Sequence, residues 1–235
     1  DGRRRNATLA PVHVINLITL RGGEPWVEIE TTIENAVRDH YLRVSFPSGV
    51  SADEIAARIP FDIVRRAIPT PEYGEFDARP QTEQPWQGFV DVRDEQGGLA
   101  LLGDGLRAYE AHDDAARTVS LTLLRAFALR FYVPDGPDDP HVSRGSQCPG
   151  THTFRYAVMP HGPDLPPHAL WTASEQFNTP VWAAQFAPTP HGTRPRTGAF
   201  LEIEPAELQL TAVKTSESGQ GVIVRLFNLT TAAVS

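Results

Sequence analysis

Three groupings of side chains in this sequence carry chemistry that can be tested against spacing: histidines near carboxylates, paired carboxylates, and an aspartate bracketed by glycines with an arginine close behind. Among the eight histidines, His161-x-x-Asp164-x-x-x-His168 comes nearest to a zinc-ligand spacing. Gly162, Pro163, Pro166 and Pro167 lie between them, so the stretch reads as a solvated loop and not as the helix face on which such ligands converge. Asp135–His141 has the oxygen density of a calcium loop without its ligand register. Asp113-Asp114 and Asp138-Asp139 are adjacent pairs. Neighbours on a strand point to opposite faces, so neither pair forms the facing acid and base that glycoside cleavage requires. Cys148 has no patterned base beside it, and no nucleophile elbow, phosphate loop or dinucleotide fingerprint occurs. No catalytic residue and no metal ligand is therefore assigned. What remains is Gly103-Asp104-Gly105-Leu106-Arg107. It has two readings: a turn whose glycines supply positive φ, or a loop that presents Asp104 or Arg107 to a polar ligand or a neighbouring domain.

The segments that must position this turn alternate with a period of two. Gln87–Arg93 reads as a strand, Asp94–Gly98 breaks it, and Leu99–Leu102 is a short apolar run that the turn stops, so the turn is expected to close a hairpin. In Arg117–Ala126, Val119, Leu121 and Leu123 share one face; in His152–Met159, Phe154, Tyr156 and Val158 do. Leu9–Leu20, apolar on both faces, is expected in the centre of a sandwich. With Trp26–Asn35 and Asp39–Pro47 it reads as an antiparallel meander. Ser51–Arg58, with Ser51 and Glu54 in capping-box spacing, is the one helix-like stretch. Phe61–Ile68 follows as a strand. Pro69–Pro85, Pro134–Pro149 and Gly162–Pro167 read as loops, and Pro188–Gly198 as a linker. Phe200–Glu204, Glu207–Val213 and Gly221–Asn228 form a last strand set, turning at Ser218–Gly221. The fold class is all-β: a large antiparallel β-sandwich over residues 1–190, and the strands of a small β domain over 191–235.

Composition excludes some partners. A net charge of −8, with basic residues scattered except for Arg3-Arg4-Arg5, does not make a nucleic-acid footprint. No apolar run reaches the roughly 20 residues of a membrane span. Cys148 is the single cysteine, so no intrachain disulfide forms, and the expected compartment is reducing and cytoplasmic. The chain starts at Asp1, and its only methionine is Met159, so a piece of a longer protein is expected.

Five words of sequence, in order across nearly the whole chain, carry a resemblance: GGEPWVEIETTIENAVRDHYLRVSFPSG, QGFVDVRDEQGGLALLGDGLRAYEA, RTVSLTLLRAF, SQCPGTHTFRYAVMPH, and FLEIEPAELQLTAV with VIVRLFN. Together they resemble the C-terminal β region of glycoside hydrolase family 38, the α-mannosidase family, which includes bacterial mannosylglycerate hydrolase-like members. The resemblance implies a galactose mutarotase-like super-sandwich followed by the start of a small terminal β domain. It also implies that the zinc and the aspartate nucleophile belong to an N-terminal α/β catalytic domain that this chain lacks, so no cofactor is assigned here. In that family a hairpin of the β region reaches toward the sugar and supplies a basic residue. The matching segment is Leu101–Ala108, with Gly-Asp-Gly where relatives often carry an Asn-Arg-Gly type turn, and Arg107 stands a few residues later as a replacement.

The expected function is thus the β-sandwich part of an α-mannosidase-like hydrolase, inactive alone, with Asp104 and Arg107 as ligand-binding candidates. Its expected partners are a mannoside in the intact enzyme and its own catalytic domain. The alternatives are a stand-alone carbohydrate-binding sandwich, with Trp26, Trp86, Trp171 and Trp182 as stacking candidates, or a structural module for domain packing or for a homo-oligomer.

Overall fold

The computed structural model describes residues 10–69, 74, 81–127, 145–187, 191–193 and 195–234. Strands β1 (His13–Leu20), β2 (Val27–Asn35), β4 (Glu54–Ile59), β5 (Asp62–Ala67), β7 (Phe89–Arg93), β8 (Gly98–Asp104) and β11 (Gly150–His161) form a seven-stranded sheet in the order β1-β2-β11-β8-β7-β4-β5. Strands β3 (His40–Phe46), β6 (Glu83–Pro85), β9 (Ala108–Ala111) and β10 (Val119–Ala126) form a four-stranded sheet in the order β3-β10-β9-β6. β12 (Leu208–Thr215) and β13 (Val222–Asn228) pair as a separate ribbon, and α1 (Pro167–Asn178) is a helix of 12 residues. The strand pairs are antiparallel, as the alternation requires.

Alternation sends side chains into two cores. Between the sheets, Ile33, Ile55, Val90, Val92, Leu101 and Tyr156 meet Tyr109, Val119, Leu121 and Leu123. On the outer face of the large sheet, Phe89, Ala100, Leu102, Ala157 and Met159 pack under Leu170, Trp171, Ala173 and Phe177 of α1. Strands β7, β8 and β11 are therefore buried on both faces. The ribbon touches this assembly through Phe227, whose ring lies 5.0 Å from that of Trp171 and 6.2 Å from that of Phe61.

Several sequence expectations are corrected. The Leu9–Leu20 segment is not central: β1 is an edge strand of the large sheet, with Ile15, Leu17, Ile18 and Leu20 exposed. The first three strands are not a meander, because β3 crosses to the other sheet and pairs with β10. Ser51–Arg58 is not a helix. Ile55 and Ala57 alternate into the core, the backbone pairs with β5 and β7, and the Ser51 N–H donates to Asp94 Oδ2 instead of opening a helix. The helix lies at Pro167–Asn178, where the sequence reading has none. Phe200–Glu204 is not a strand. Arg3-Arg4-Arg5 and Asp135–His141 fall outside the described residues, as does most of Pro69–Pro85, whose end forms β6. Among the described residues no helix is long and apolar enough to cross a membrane.

Leu121 is fully buried between the sheets. Leu121→Ala is expected to cost about 2–5 kcal/mol, measured as a fall in the urea midpoint with the slope unchanged.

Candidate functional site

The Gly103–Arg107 segment is a corner between sheets and not a hairpin turn. β8 pairs with β7 and β11 in the large sheet, whereas the next strand, β9, pairs with β10 and β6 in the small one. The hairpin that the sequence places here is instead β7–β8, closed by an Asx turn in which Asp94 Oδ1 accepts the N–H groups of Gln96 and Gly97. The corner is pinned from beneath. Leu106 is buried in the inter-sheet core, the Gly103 N–H donates to the Gly88 carbonyl at 2.9 Å, and the Arg107 carbonyl accepts the Trp86 N–H at 3.2 Å. Glycine is needed at two positions. A Cβ on Gly103 would stand 2.5 Å from the Trp86 ring, and Gly105 has φ +71. Pinning Leu106 inward turns Asp104 and Arg107 outward, and both are exposed.

The structure brings these two residues together with groups that the sequence reading leaves unassigned. The corner faces the C-terminal half of α1 across a cleft of about 310 Å³, which Arg58, Gln87, Glu175 and Asn178 also line. Two arginines of the sheet hold α1 there. Arg58 lies over the Trp171 ring at 3.7 Å and donates to Ser174 Oγ at 3.0 Å and to Glu175 Oε1 at 2.5 Å. Arg155 lies over the Phe177 ring, donates to the Phe177 carbonyl and to Glu28 at 2.9 Å, and comes within 3.7 Å of Asp104. The Arg155 hydrogen bond, together with that from Arg21, outweighs partial burial and holds the Glu28 carboxyl below its usual range. Arg107 and Gln87 make no side-chain hydrogen bond or ion pair among the described residues. The signal for this side of the cleft is present in the sequence: Leu170, Trp171, Ser174 and Phe177 recur at helical spacing behind a proline in the first turn.

Most of the other described candidates have structural roles. Trp26, Trp86 and Trp171 are buried packing residues, while Trp182 is 90% exposed. Asp113 pairs with Arg117, and Asp114 accepts the Thr118 N–H, so the adjacent carboxylates do not face each other. Among the described residues no three His, Cys, Asp or Glu side chains converge as a metal site. His161 is not in a solvated loop but closes β11 beneath α1. Its Nε2 lies 2.7 Å from Asp91 Oδ1, and its Nδ1 lies 2.7 Å from the Gly162 carbonyl. Both partners are acceptors, so the site favours the doubly protonated ring. Arg93 completes the group, donating to Asp91 Oδ2 at 2.7 Å and to the Leu165 carbonyl at 2.6 Å, which ties the turn before α1 to β7.

Comparison with known proteins extends this geometry. The model of the glycosyl hydrolases family 38 C-terminal domain matches residues 7–140. A putative mannosylglycerate hydrolase of Halalkalibacterium halodurans is 25% identical over 223 residues, covering 90% of this chain and 22% of that protein. Human alpha-mannosidase 2C1 is 29% identical over 217 residues, covering 89% of this chain and 18% of that protein. The crystal structure of an alpha-mannosidase from Enterococcus faecalis V583 superposes with a TM-score of 0.81 at 30% identity, over 97% of this chain and 24% of that one. The chain thus spans about a quarter or less of the length of these proteins.

The His161 network makes stability depend on pH with a definite sign. Burial alone would lower the pKa of His161, but the Asp91 carboxylate and the Gly162 carbonyl outweigh it and raise the value above the usual histidine range. A raised folded-state pKa contributes stability in full below the unfolded value of about 6.5 and loses it as pH rises through the folded value. Urea midpoints are expected to fall over that window. His161→Gln is expected to be less stable than the parent at low pH, with the gap narrowing as pH rises; a constant gap contradicts the assignment.

Proposed function

This chain belongs to the glycosyl hydrolase family 38 C-terminal domain, and on that premise we propose that it is the β-sandwich part of an α-mannosidase-type hydrolase whose corner helps shape the sugar site. In this reading the catalytic residues and the zinc lie in a part of the enzyme outside these 235 residues. No metal-ligand set converges among the described residues, so none of the side chains described here is assigned to that ion. The intended substrate is a mannoside, as the names of the mannosidase and mannosylglycerate hydrolase relatives indicate for those proteins. A cytoplasmic setting is part of the proposal, supported by a chain with one cysteine and no disulfide.

One observation carries the reading: Arg107 stands exposed on a corner that buried groups pin on both sides, with no side-chain partner of its own among the described residues. A guanidinium held in place by its backbone and left unpaired is ready to donate to hydroxyl or carboxylate oxygens of a ligand. Asp104, on the same corner, offers acceptors for sugar hydroxyls. Its single charged neighbour among the described residues, Arg155, is 3.7 Å away.

In the full-length enzyme, Arg107→Ala is expected to lower kcat/KM toward an activated α-mannoside about 10- to 100-fold, the worth of one charge-assisted hydrogen bond. The folded domain should be unaffected, because the side chain is exposed and unpaired. Circular dichroism and thermal unfolding check the second point, and steady-state kinetics the first. Parental kinetics in the variant would refute the role assigned to Arg107.

A further inference from the structure

We propose that β1 is an acceptor strand, whose free edge pairs in the intact enzyme with an extended apolar strand of the same polypeptide from outside these 235 residues. The inference rests on the reading of this chain as part of a longer hydrolase. It is independent of the role given to the corner.

β1 ends the seven-stranded sheet, and among the described residues its strand partner is β2 alone. Val14, Ile15, Leu17, Ile18 and Leu20 are 46–74% exposed, and they occupy both faces. Register with β2 puts Val14, Ile18 and Leu20 on the inter-sheet side, beside Ile33, Ile29 and Val27. Ile15 and Leu17 lie on the other side, beside Thr32 and Glu30. The inter-sheet core therefore runs off the edge of the sheet. Along one row Tyr156 is buried, Ile29 is half-buried and Ile18 is exposed. A strand that is apolar on both faces has the pattern of a sheet interior.

The other edges of the two sheets are protected in the ways that keep edges from pairing. β5 carries Asp62, Arg65 and Arg66. β6 is three residues long and ends on Pro85. β3 carries Arg43 and faces a register shift in β10. β1 has none of these devices. Its sequence HVINLITL contains no Asp, Glu, Lys, Arg, Pro or Gly, and it pairs with β2 at eight consecutive positions without a bulge. The strand is also held ready: the buried Thr31 hydroxyl donates to Asn16 Oδ1 at 2.7 Å, which fixes β1 in register.

Area selects a strand of the same polypeptide over a second copy of this chain. Edge pairing covers the flanks of five aliphatic side chains, at most about 500 Å² per copy at roughly 100 Å² each. That falls short of the roughly 800 Å² that each partner buries in a standard interface. A tethered segment needs less area, because its tether holds it at an effective concentration of about a millimolar. The chain spans about a quarter or less of the length of its relatives, and a protein of that length has ample further chain to supply the segment. The seam also sets its chemistry: an extended stretch rich in Val, Ile, Leu and Thr, uncharged where it meets β1.

The test is hydrogen exchange of the full-length enzyme, read by mass spectrometry at the peptides that cover β1. At an open edge every second amide lacks a partner and exchanges fast. β1 is expected to exchange slowly along its whole length, at a rate independent of protein concentration. Ile18→Lys is expected to speed that exchange about tenfold, as a charge placed in a sheet interior would. At an open edge the same change is neutral. Fast exchange at half of the β1 amides of the parent enzyme, or exchange unaffected by Ile18→Lys, would overturn the proposal. Protection that is lost on dilution would overturn it too, in favour of a second copy. These readouts are separable from the enzymatic one. An open β1 edge with a damaged Arg107→Ala enzyme removes the seam and keeps the role of the corner. A covered β1 edge with an unaffected Arg107→Ala enzyme keeps the seam and removes that role.

Discussion

The packing of α1 on the outer face of the large sheet is the constraint from which most of this structure follows. A sheet in a two-layer sandwich ordinarily shows one face to water, yet β7, β8 and β11 bury both, because Leu170, Trp171, Ala173 and Phe177 cover Phe89, Ala100, Leu102 and Ala157. Close approach demands small residues beneath the helix. At Gly88 the φ of +90 and the Ser174 hydroxyl both exclude a side chain, and two alanines stand where longer residues would lift α1 away. The helix in turn supplies one wall of the cleft beside the corner.

Polar groups around the helix are arranged by the same packing. Asp91 is fully covered, so its charge needs compensation, and it receives His161 on one oxygen and Arg93 on the other. At the opposite end of α1, Arg155 donates to the Phe177 carbonyl, one of the acceptors that a helix leaves unpaired in its last turn, and so meets the negative end of the helix dipole. Arg155 also joins Glu28 of β2 and approaches Asp104 of β8, so the helix end, two strands and the corner share one guanidinium. Arg58 does the equivalent for β4 by stacking on Trp171. Arg107 is left as the arginine of the corner whose side chain is not absorbed into this bracing.

Much of the sandwich could be read from alternation alone. Val119, Leu121 and Leu123 in β10, and Phe154, Tyr156 and Val158 in β11, face the inter-sheet core as their period of two requires. The family was readable from the order of five short words. Sheet membership was not readable, because a strand's pattern reports which faces are buried and not which strand lies beside it. That is why alternation alone places β3 in a meander and the corner in a hairpin. Ser51–Arg58 misled through a capping-box spacing that local sequence favours and tertiary pairing overrides. α1 was hidden by its start: Pro166 is the N-cap residue and makes no side-chain cap, and the prolines around it read as a loop although the helical spacing follows at once. The candidate residues Asp104 and Arg107 were legible as a pair of polar groups on a turn. Their neighbours Arg58, Gln87, Glu175 and Asn178 were not, since they come from three other segments that only the fold unites.

The most direct measurement is a crystal structure of the full-length enzyme with an unhydrolysed mannoside analogue bound. The corner is expected at the sugar, with a donor of Arg107 or an acceptor of Asp104 within hydrogen-bonding distance, about 3 Å, of a ligand oxygen. A bound analogue with the Gly103–Arg107 corner turned to bulk solvent, and no side chain of this domain reaching the ligand, would contradict the functional assignment.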